Sequence, residues 1–426
     1  MKKVEEARQP LRGNLTVPGD KSIGHRAVIF ASIAEGESRL FDLSGGEDNH
    51  RTVKAFKNLG VKIRSEGNVL LVDGNGWEGL CPPGNPIDCG NSGTTMRLVA
   101  GVLAGRPFVS TLDGDASLRQ RPMQRVIEPL SQMGAEILSQ NGKGAAPLEI
   151  RGRQLQGIHY VSPVASAQVK SAILLAGLQA EGVTVVEEPQ RSRDHTEIMA
   201  RAFGARVRVE GRSVSVKGRQ RLWKREVKIP GDLSSAAFFM VAAASIPGSD
   251  LVIRGVGCNP SRSGVIDVLR QMGASIELVN HREESGEVVV DLHVLGGKLK
   301  GVDVGVEMVA RTIDEYPVLS VAAALADGVS TFSGVRELRY KESDRIYTMT
   351  RELRKLGVEV EEEEDSMRIV GKGRLQGARV KSYGDHRVAM ALACAGLYSA
   401  GGVEIEDSGC ADVSFPGFFD LLESLC

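Results

Sequence analysis

Aromatic residues make up only 4% of the 426-residue sequence, two of them Trp, and the net charge is −1. A nucleic-acid-binding surface is usually basic and rich in stacking rings, so the composition argues against that class. The six cysteines form no CxxC pair and show no ligand-like spacing to the seven histidines. Neither a metal site nor a disulfide framework is expected, and a reducing cytosol fits best. No apolar run is long enough to cross a bilayer, and the charged start "MKKVEEARQP" lacks the apolar core of a signal peptide. The phosphate-loop pattern GxxxxGK[ST] and the nucleophile elbow GxSxG are both missing. "GNGWEG" (74–79) fits GxGxxG, but no helix pattern follows it, so it reads as a turn rather than a dinucleotide fingerprint.

What is present is an ordinary globular composition, 42% hydrophobic and 25% charged, long enough for two or three domains. It also repeats. Six segments share an apolar, Ala-rich helix, a Gly break and a strand: 27–43, 97–114, 171–188, 236–255, 318–335 and 388–409. The breaks at Gly36, Gly105, Gly182, Gly248, Gly328 and Gly401 recur every 66 to 80 residues. Amphipathic helices such as "TVKAFKNLGVKI" and "VIDVLRQMGASIEL" interleave with them, each closing at Gly before a strand. Helices that are apolar nearly all round belong in a core, so the helices should lie inside and the sheets outside. Six units are too many for one such core, and two domains of three units follow. "TVPGDKSIGHRA" (16–27) echoes "KIPGDLSSAAFF" (228–239), which places the two crossovers there. The expected domains are 1–19 plus 231–426, and 20–230.

Polar motifs gather at the starts of the buried helices: "GDKSIGHR", "CGNSGTTMR", "SPVASAQVKS", "GDLSSA", "RTIDEYP" and "SYGDHRVA". A helix N-terminus is electropositive, so Lys21 at the first position and Arg26 within two turns are disfavoured by roughly 0.3–1 kcal/mol each. Small residues there expose backbone N–H groups, and several aligned helix starts make an anion site. Cations Lys21, Arg26, Arg97 and Arg387 in such a place work against folding and in favour of an anionic ligand. Taken singly, each motif has a plainer reading: "DKS" as a capped surface helix, "GNSGTT" as a tight turn, Asp314-Glu315 before Pro317 as a cap. Recurrence at equivalent places in the repeat is what shifts the balance. Two basic stretches join the set: "SLRQRPMQ" with Arg119 and Arg121, and "RELRYKESDRI" with Lys341, Glu342 and Arg345. Guanidinium groups suit bidentate binding of phosphate or carboxylate. The acidic run "EEEED" (361–365) reads as a solvated turn or strand edge.

In this order, "PGDKSIGHRA", "GNSGTTMR", "RPM", "SAQVKSA", "RYKESDRI", "YGDHRVAM" and "SFPGFF" resemble the EPSP synthase family over essentially the whole chain. The resemblance implies an α/β fold of two inside-out barrels, six βαβαββ-type units with helices buried and sheets outside, and a site in the cleft between domains. It implies transfer of the enolpyruvyl group of phosphoenolpyruvate to the 5-hydroxyl of shikimate 3-phosphate, with phosphate released and no metal or organic cofactor. A cytoplasmic monomer acting on small molecules, with no nucleic-acid or membrane partner, is expected.

Matched motif by motif, Lys21, Ser22, Arg26, Ser166, Gln168, Asp314 and Lys341 look like shikimate 3-phosphate ligands, with Ala167 through its backbone and Ser192 near the phosphate. Lys21, Gly93, Arg121, Gln168, Arg345 and Arg387 look like the phosphoenolpyruvate side, with Asn91 and Thr94 shaping the Gly93 turn. Together the two substrates carry roughly −5 to −6 near neutrality, and seven cations, Arg97 included, offset it. Asp314 is the candidate base, Glu342 the partner for the C3 proton, and Lys21 and Lys341 groups that move protons or stabilise charge.

The chain also departs from the family. "CADVSFP" has Val413 where many members carry Lys, and Glu337 stands where many carry Asn. "SAQ" and "KSIGHR" are similar to the divergent class associated with glyphosate tolerance, although Gly93 is unsubstituted. The sister transferase acting on UDP-N-acetylglucosamine has Lys-Asn in place of Lys21-Ser22 and usually a Cys in the loop that reads "TLDGDASLRQRPMQ" here. A non-catalytic anion-binding scaffold is the alternative from another class, and it would have no use for Asp314 and Glu342 beside the cations.

Overall fold

The computed structural model describes residues Met1–Cys426. The chain divides into two compact units, one of Met1–Pro18, Pro230–Glu283 and Val288–Cys426, the other of Gly19–Ile229 and Glu284–Glu287. Both main cuts fall in the Pro-Gly-Asp segments. The sequence boundaries did not include the hairpin tip 284–287, which counts with the second unit: Ser285 Oγ accepts from Lys228 N (3.0 Å) and Glu287 meets His195 Nδ1 (2.7 Å).

Each unit holds three sheets. In the second they run 226–228, 35–41, 69–75, 62–66; then 87–88, 109–113, 148–151, 136–139; then 159–161, 183–187, 213–217, 207–210. The first pair of each is parallel and the others antiparallel. A buried helix joins a parallel pair, as Gly93–Leu103 joins 87–88 to 109–113. In the first unit the sheets are 12–16, 250–257, 287–295, 275–284; then 303–304, 329–333, 366–370, 359–362; then 375–381, 399–406, 2–4. At the two crossings this order is exchanged. Strand 12–16 leads into the Lys21–Ile33 helix yet pairs with 250–257, and 226–228 leads into Leu233–Ser245 yet pairs with 35–41.

The six Ala-rich helices are buried almost throughout. Every residue of Tyr316–Leu325 and of His386–Gly396 is buried, as is Leu233 to Ala244 of the fourth. With no polar stripe to present to water, such a helix is stable only inside. The strands bury alternate residues, as Val109–Asp113, Val183–Glu187 and Val329–Ser333 do in the same pattern, so each sheet turns one face inward. The amphipathic helices Gln124–Gln132, Gly264–Gln271 and Arg345–Lys355 cover the remainder with one side each. Glu359–Glu362 is an edge strand, so the acidic run lies where charge discourages further pairing. Strand Val69–Asn75 and a single short turn, Trp77–Gly79, contain "GNGWEG".

Close packing of the buried helices depends on small residues. A Cβ on Gly101 would lie 2.2 Å from the carbonyl oxygen of Ala172, so the Gly93–Leu103 and Ala167–Gly177 helices meet backbone to backbone. Gly101→Ala should therefore destabilise the protein by about 1–3 kcal/mol through overpacking, read as a lower urea midpoint; an unchanged midpoint would show that the helices separate freely.

Candidate functional site

Five of the six buried helices start with a side chain that caps them: Asp20, Ser92, Ser166, Asp232 and Asp385 each accept from a backbone N–H in the first turn. The sixth begins at Glu315, whose carboxylate accepts from the Ser234 hydroxyl instead of capping. These starts carry the sequence motifs.

In the second unit, hydrogen bonds tie three of them together. Lys21 is the first residue of its helix, and its Nζ lies 2.9 Å from Asp48, so an acid offsets the repulsion of the helix end. His25 Nδ1 meets Thr52 Oγ1 (2.6 Å), Thr52 meets Thr95 Oγ1 (2.8 Å) and Thr95 donates to Ser92 (2.9 Å). Arg26 is buried and donates to Thr196 Oγ1 (2.6 Å), Ser22 O (2.8 Å) and Ser171 Oγ (2.7 Å). Three of its nitrogens thus hold the helix starts in place. Gln168 spans two helices, accepting from Arg97 Nη1 (2.6 Å) and donating to Thr94 Oγ1 (2.9 Å). Asn91 accepts from Arg121. A Cβ on Gly93 would stand 2.7 Å from Arg97 Nη1 and 3.3 Å from Arg121 Nη1, so the missing side chain makes room for two guanidinium groups.

Ser192 is placed differently from a simple phosphate ligand. Its hydroxyl donates to Glu188 (2.5 Å), which pairs with Lys170 (2.9 Å); Lys170 also pairs with Glu197 (2.8 Å). A hydroxyl has one proton, so a phosphate at Ser192 requires that proton to leave Glu188. Burial opposes the charge on Lys170, but Glu197 and Glu188 outweigh it and raise its pKa. Sequence reading passed over this lysine, which sits inside an otherwise apolar helix, and over Arg193. Arg193 is half-buried and close enough to repel the charge of Arg26, whose pKa falls to about 10, mainly through burial. Arg193 belongs to "SRDHTE" (192–197), the segment that opens the His195–Ala202 helix.

In the first unit the carboxylate of Asp314 is surrounded by three cations: Lys341 Nζ at 3.6 Å, Arg345 Nη1 at 3.7 Å and Arg387 Nη2 at 3.9 Å. Arg387 also donates to the Asp314 carbonyl oxygen (3.1 Å). Arg345, almost fully buried, is held by Glu342 (2.7 Å) and by Asp385 through two nitrogens (2.9 and 3.2 Å). Burial alone would lower the pKa of Arg345, but Asp385, Glu342 and Asp314 prevail and raise it. The sequence candidates thus fall into two clusters. Lys21, Ser22, Arg26, Asn91, Gly93, Thr94, Arg121, Ser166, Ala167, Gln168 and Ser192 belong to the second unit; Asp314, Lys341, Glu342, Arg345 and Arg387 belong to the first. Val413 lies in the short Ser408–Val413 turn.

The model of the EPSP synthase (3-phosphoshikimate 1-carboxyvinyltransferase) family matches residues 5–422. The chain belongs to the EPSP synthase family. It is 52% identical over 417 residues to the 3-phosphoshikimate 1-carboxyvinyltransferase of Geotalea uraniireducens (strain Rf4), covering 98% of this chain and 97% of that one. The enzyme of the same name from Alkaliphilus metalliredigens (strain QYMF) is 48% identical over 417 residues, 98% of each. A 2.37 Å structure of EPSP synthase from Acinetobacter baumannii superposes with a TM-score of 0.89 at 43% identity, covering 99% of this chain and 97% of that one. The mixed α/β fold with several sheets is therefore the family's fold.

The "DKSIGHR" segment also holds a buried histidine. Burial pushes the pKa of His25 down to about 3, with Lys21 and Arg26 adding to the effect and Asp48 opposing it. In the folded chain His25 is neutral above that value, whereas the unfolded chain protonates it below about 6.5. Folding stability should fall as pH drops from about 6.5 toward 3, by roughly 1.4 kcal/mol per unit from this residue. The difference in urea stability between wild type and His25→Gln should show that slope; parallel curves would contradict it.

Proposed function

We propose that this chain transfers the enolpyruvyl group of phosphoenolpyruvate to the 5-hydroxyl of shikimate 3-phosphate, giving 5-enolpyruvylshikimate 3-phosphate and phosphate. The observation that carries the reading is Asp314, a carboxylate set among Lys341, Arg345 and Arg387 with Glu342 on the same arginine. An anion-binding scaffold needs the cations and acids to balance them; the chemistry also needs an acid group able to take and give a proton. Each unit is taken as an inside-out barrel, an arrangement supported by its buried helices. Six unpaired cysteines fit a reducing cytoplasm.

Asp314 accepts the proton of the 5-hydroxyl as that oxygen bonds to C2 of phosphoenolpyruvate, and an acid, for which Glu342 is the candidate, delivers a proton to C3. The tetrahedral intermediate then loses a C3 proton and its phosphate, and the double bond re-forms. Both steps are proton transfer and addition or elimination, which ask for no redox or electrophilic cofactor. Lys341, Ser166, the backbone of Ala167, Gln168, Ser22, Lys21 and Arg26 hold shikimate 3-phosphate, Arg26 also fixing the helix starts and Ser192 joining once its proton is redirected. Arg121, Arg345, Arg387, Lys21 and Gln168 hold phosphoenolpyruvate above the Asn91–Thr94 turn, where Gly93 leaves room.

Phosphate release should require both substrates together, and Asp314→Asn should lower kcat by about 10²–10⁴-fold, as loss of a general base does. No release with the pair, or turnover of UDP-N-acetylglucosamine in place of shikimate 3-phosphate, would contradict the proposal. A fully active Asp314→Asn would remove Asp314 as the base.

A further inference from the structure

We infer that Asp115, an exposed residue outside the proposed ligand set, is a positioning residue that fixes the direction of Arg121 through the amide of Asn91. The inference rests on the reading that Arg121 binds phosphoenolpyruvate. Two loops meet here. The Asp115 N–H donates to Gly90 O (2.9 Å), and Gly114 permits the approach, since a Cβ there would lie 2.5 Å from that same oxygen. The two carboxylate oxygens of Asp115 then take different jobs. Oδ1 accepts from the N–H of Leu118 (2.8 Å), closing the Leu118–Gln120 turn that delivers Arg121. Oδ2 accepts from Asn91 Nδ2 (2.8 Å), and Asn91 Oδ1 accepts from Arg121 Nη2.

An amide has one donor end and one acceptor end. A carboxylate at 115 can only accept, so it compels Asn91 to turn its NH2 toward the loop and its oxygen toward the guanidinium. The polarity seen by Arg121 is thus set one residue further out. Arg119, clamped on Asp113 (2.9 and 2.5 Å), anchors the same loop without touching Asn91.

This polarity argument separates positioning from mere support. Asp115→Asn is isosteric and retains an oxygen for the Leu118 N–H, but its NH2 faces the NH2 of Asn91. Asn91 must then flip, presenting donors to Arg121. The geometry calls for a KM for phosphoenolpyruvate raised about tenfold, the worth of one charge-assisted hydrogen bond, with the KM for shikimate 3-phosphate and the thermal midpoint unchanged. The double variant Asp115→Asn with Asn91→Asp restores a donor–acceptor pair and returns an acceptor to Arg121. It should recover part of the lost phosphoenolpyruvate KM relative to the single variant, since Arg121 regains an acceptor, now a carboxylate that also draws on its charge. A single variant with wild-type KM, or a double variant no better than the single, would overturn the inference. A wild-type chain that turns over neither substrate would count against the activity instead. In that case the crystal structure of Asp115→Asn decides: Arg121 Nη2 released from Asn91 supports the coupling, and the wild-type contact retained refutes it.

Discussion

Cations at the positive ends of buried helices are the constraint around which this molecule is arranged. A helix start already presents unpaired N–H groups and partial positive charge, and a lysine or arginine there is repelled. Burial adds a desolvation penalty unless a partner is close. The chain meets both demands with acids, Asp48 for Lys21 and Asp314 for Arg387, and the buried Arg345, which opens an amphipathic helix, is met by Asp385 and Glu342. Such pairing makes the charges tolerable without making them stabilising, because replacing a buried ion pair with apolar residues is often neutral or better for the fold. On the proposed function, their use lies in what they hold.

The same constraint explains the small residues. Helix starts can act together only if the helices approach closely, and Gly101 lets two backbones touch. Gly93 serves charge rather than packing, since any side chain there would displace Arg97 or Arg121. Arg26 joins the first and third buried helices of its unit by bonding Ser171, 145 residues away, so their starts cannot drift apart. The buried Lys170 with Glu188 and Glu197 stiffens the wall behind Ser192 in the same way.

Much of this was legible in one sequence because the decisive signals are local. Ala-rich helices apolar on every side, Gly at their ends, and Pro-Gly-Asp at the crossings are short patterns with direct physical meaning. Family motifs located the polar residues at the helix starts. What escaped was non-local. The sequence offers Arg26 as a ligand and does not show its second task, three hydrogen bonds inside the unit, two of them to partners 145 and 170 residues distant. The hairpin tip 284–287 counts with the second unit through Lys228 and His195, and no local pattern encodes that. The Val306–Thr312 helix just before Asp314 is too short to show periodicity, and Asp314-Glu315, plausible as a cap, instead divides its roles between three cations and Ser234.

If Lys21 is held for an anion and not for the fold, the two properties should separate on mutation. The direct measurement is the thermal midpoint of the double variant Lys21→Met with Asp48→Asn, which leaves neither charge buried without its partner, with and without saturating shikimate 3-phosphate. The account predicts that the ligand-free variant stays within about 1 kcal/mol of wild type, since a helix-start repulsion and an ion pair are lost together and no charge is left unpaired, while the ligand-induced rise disappears. A ligand-free variant that unfolds far below wild type yet keeps the full rise would contradict it.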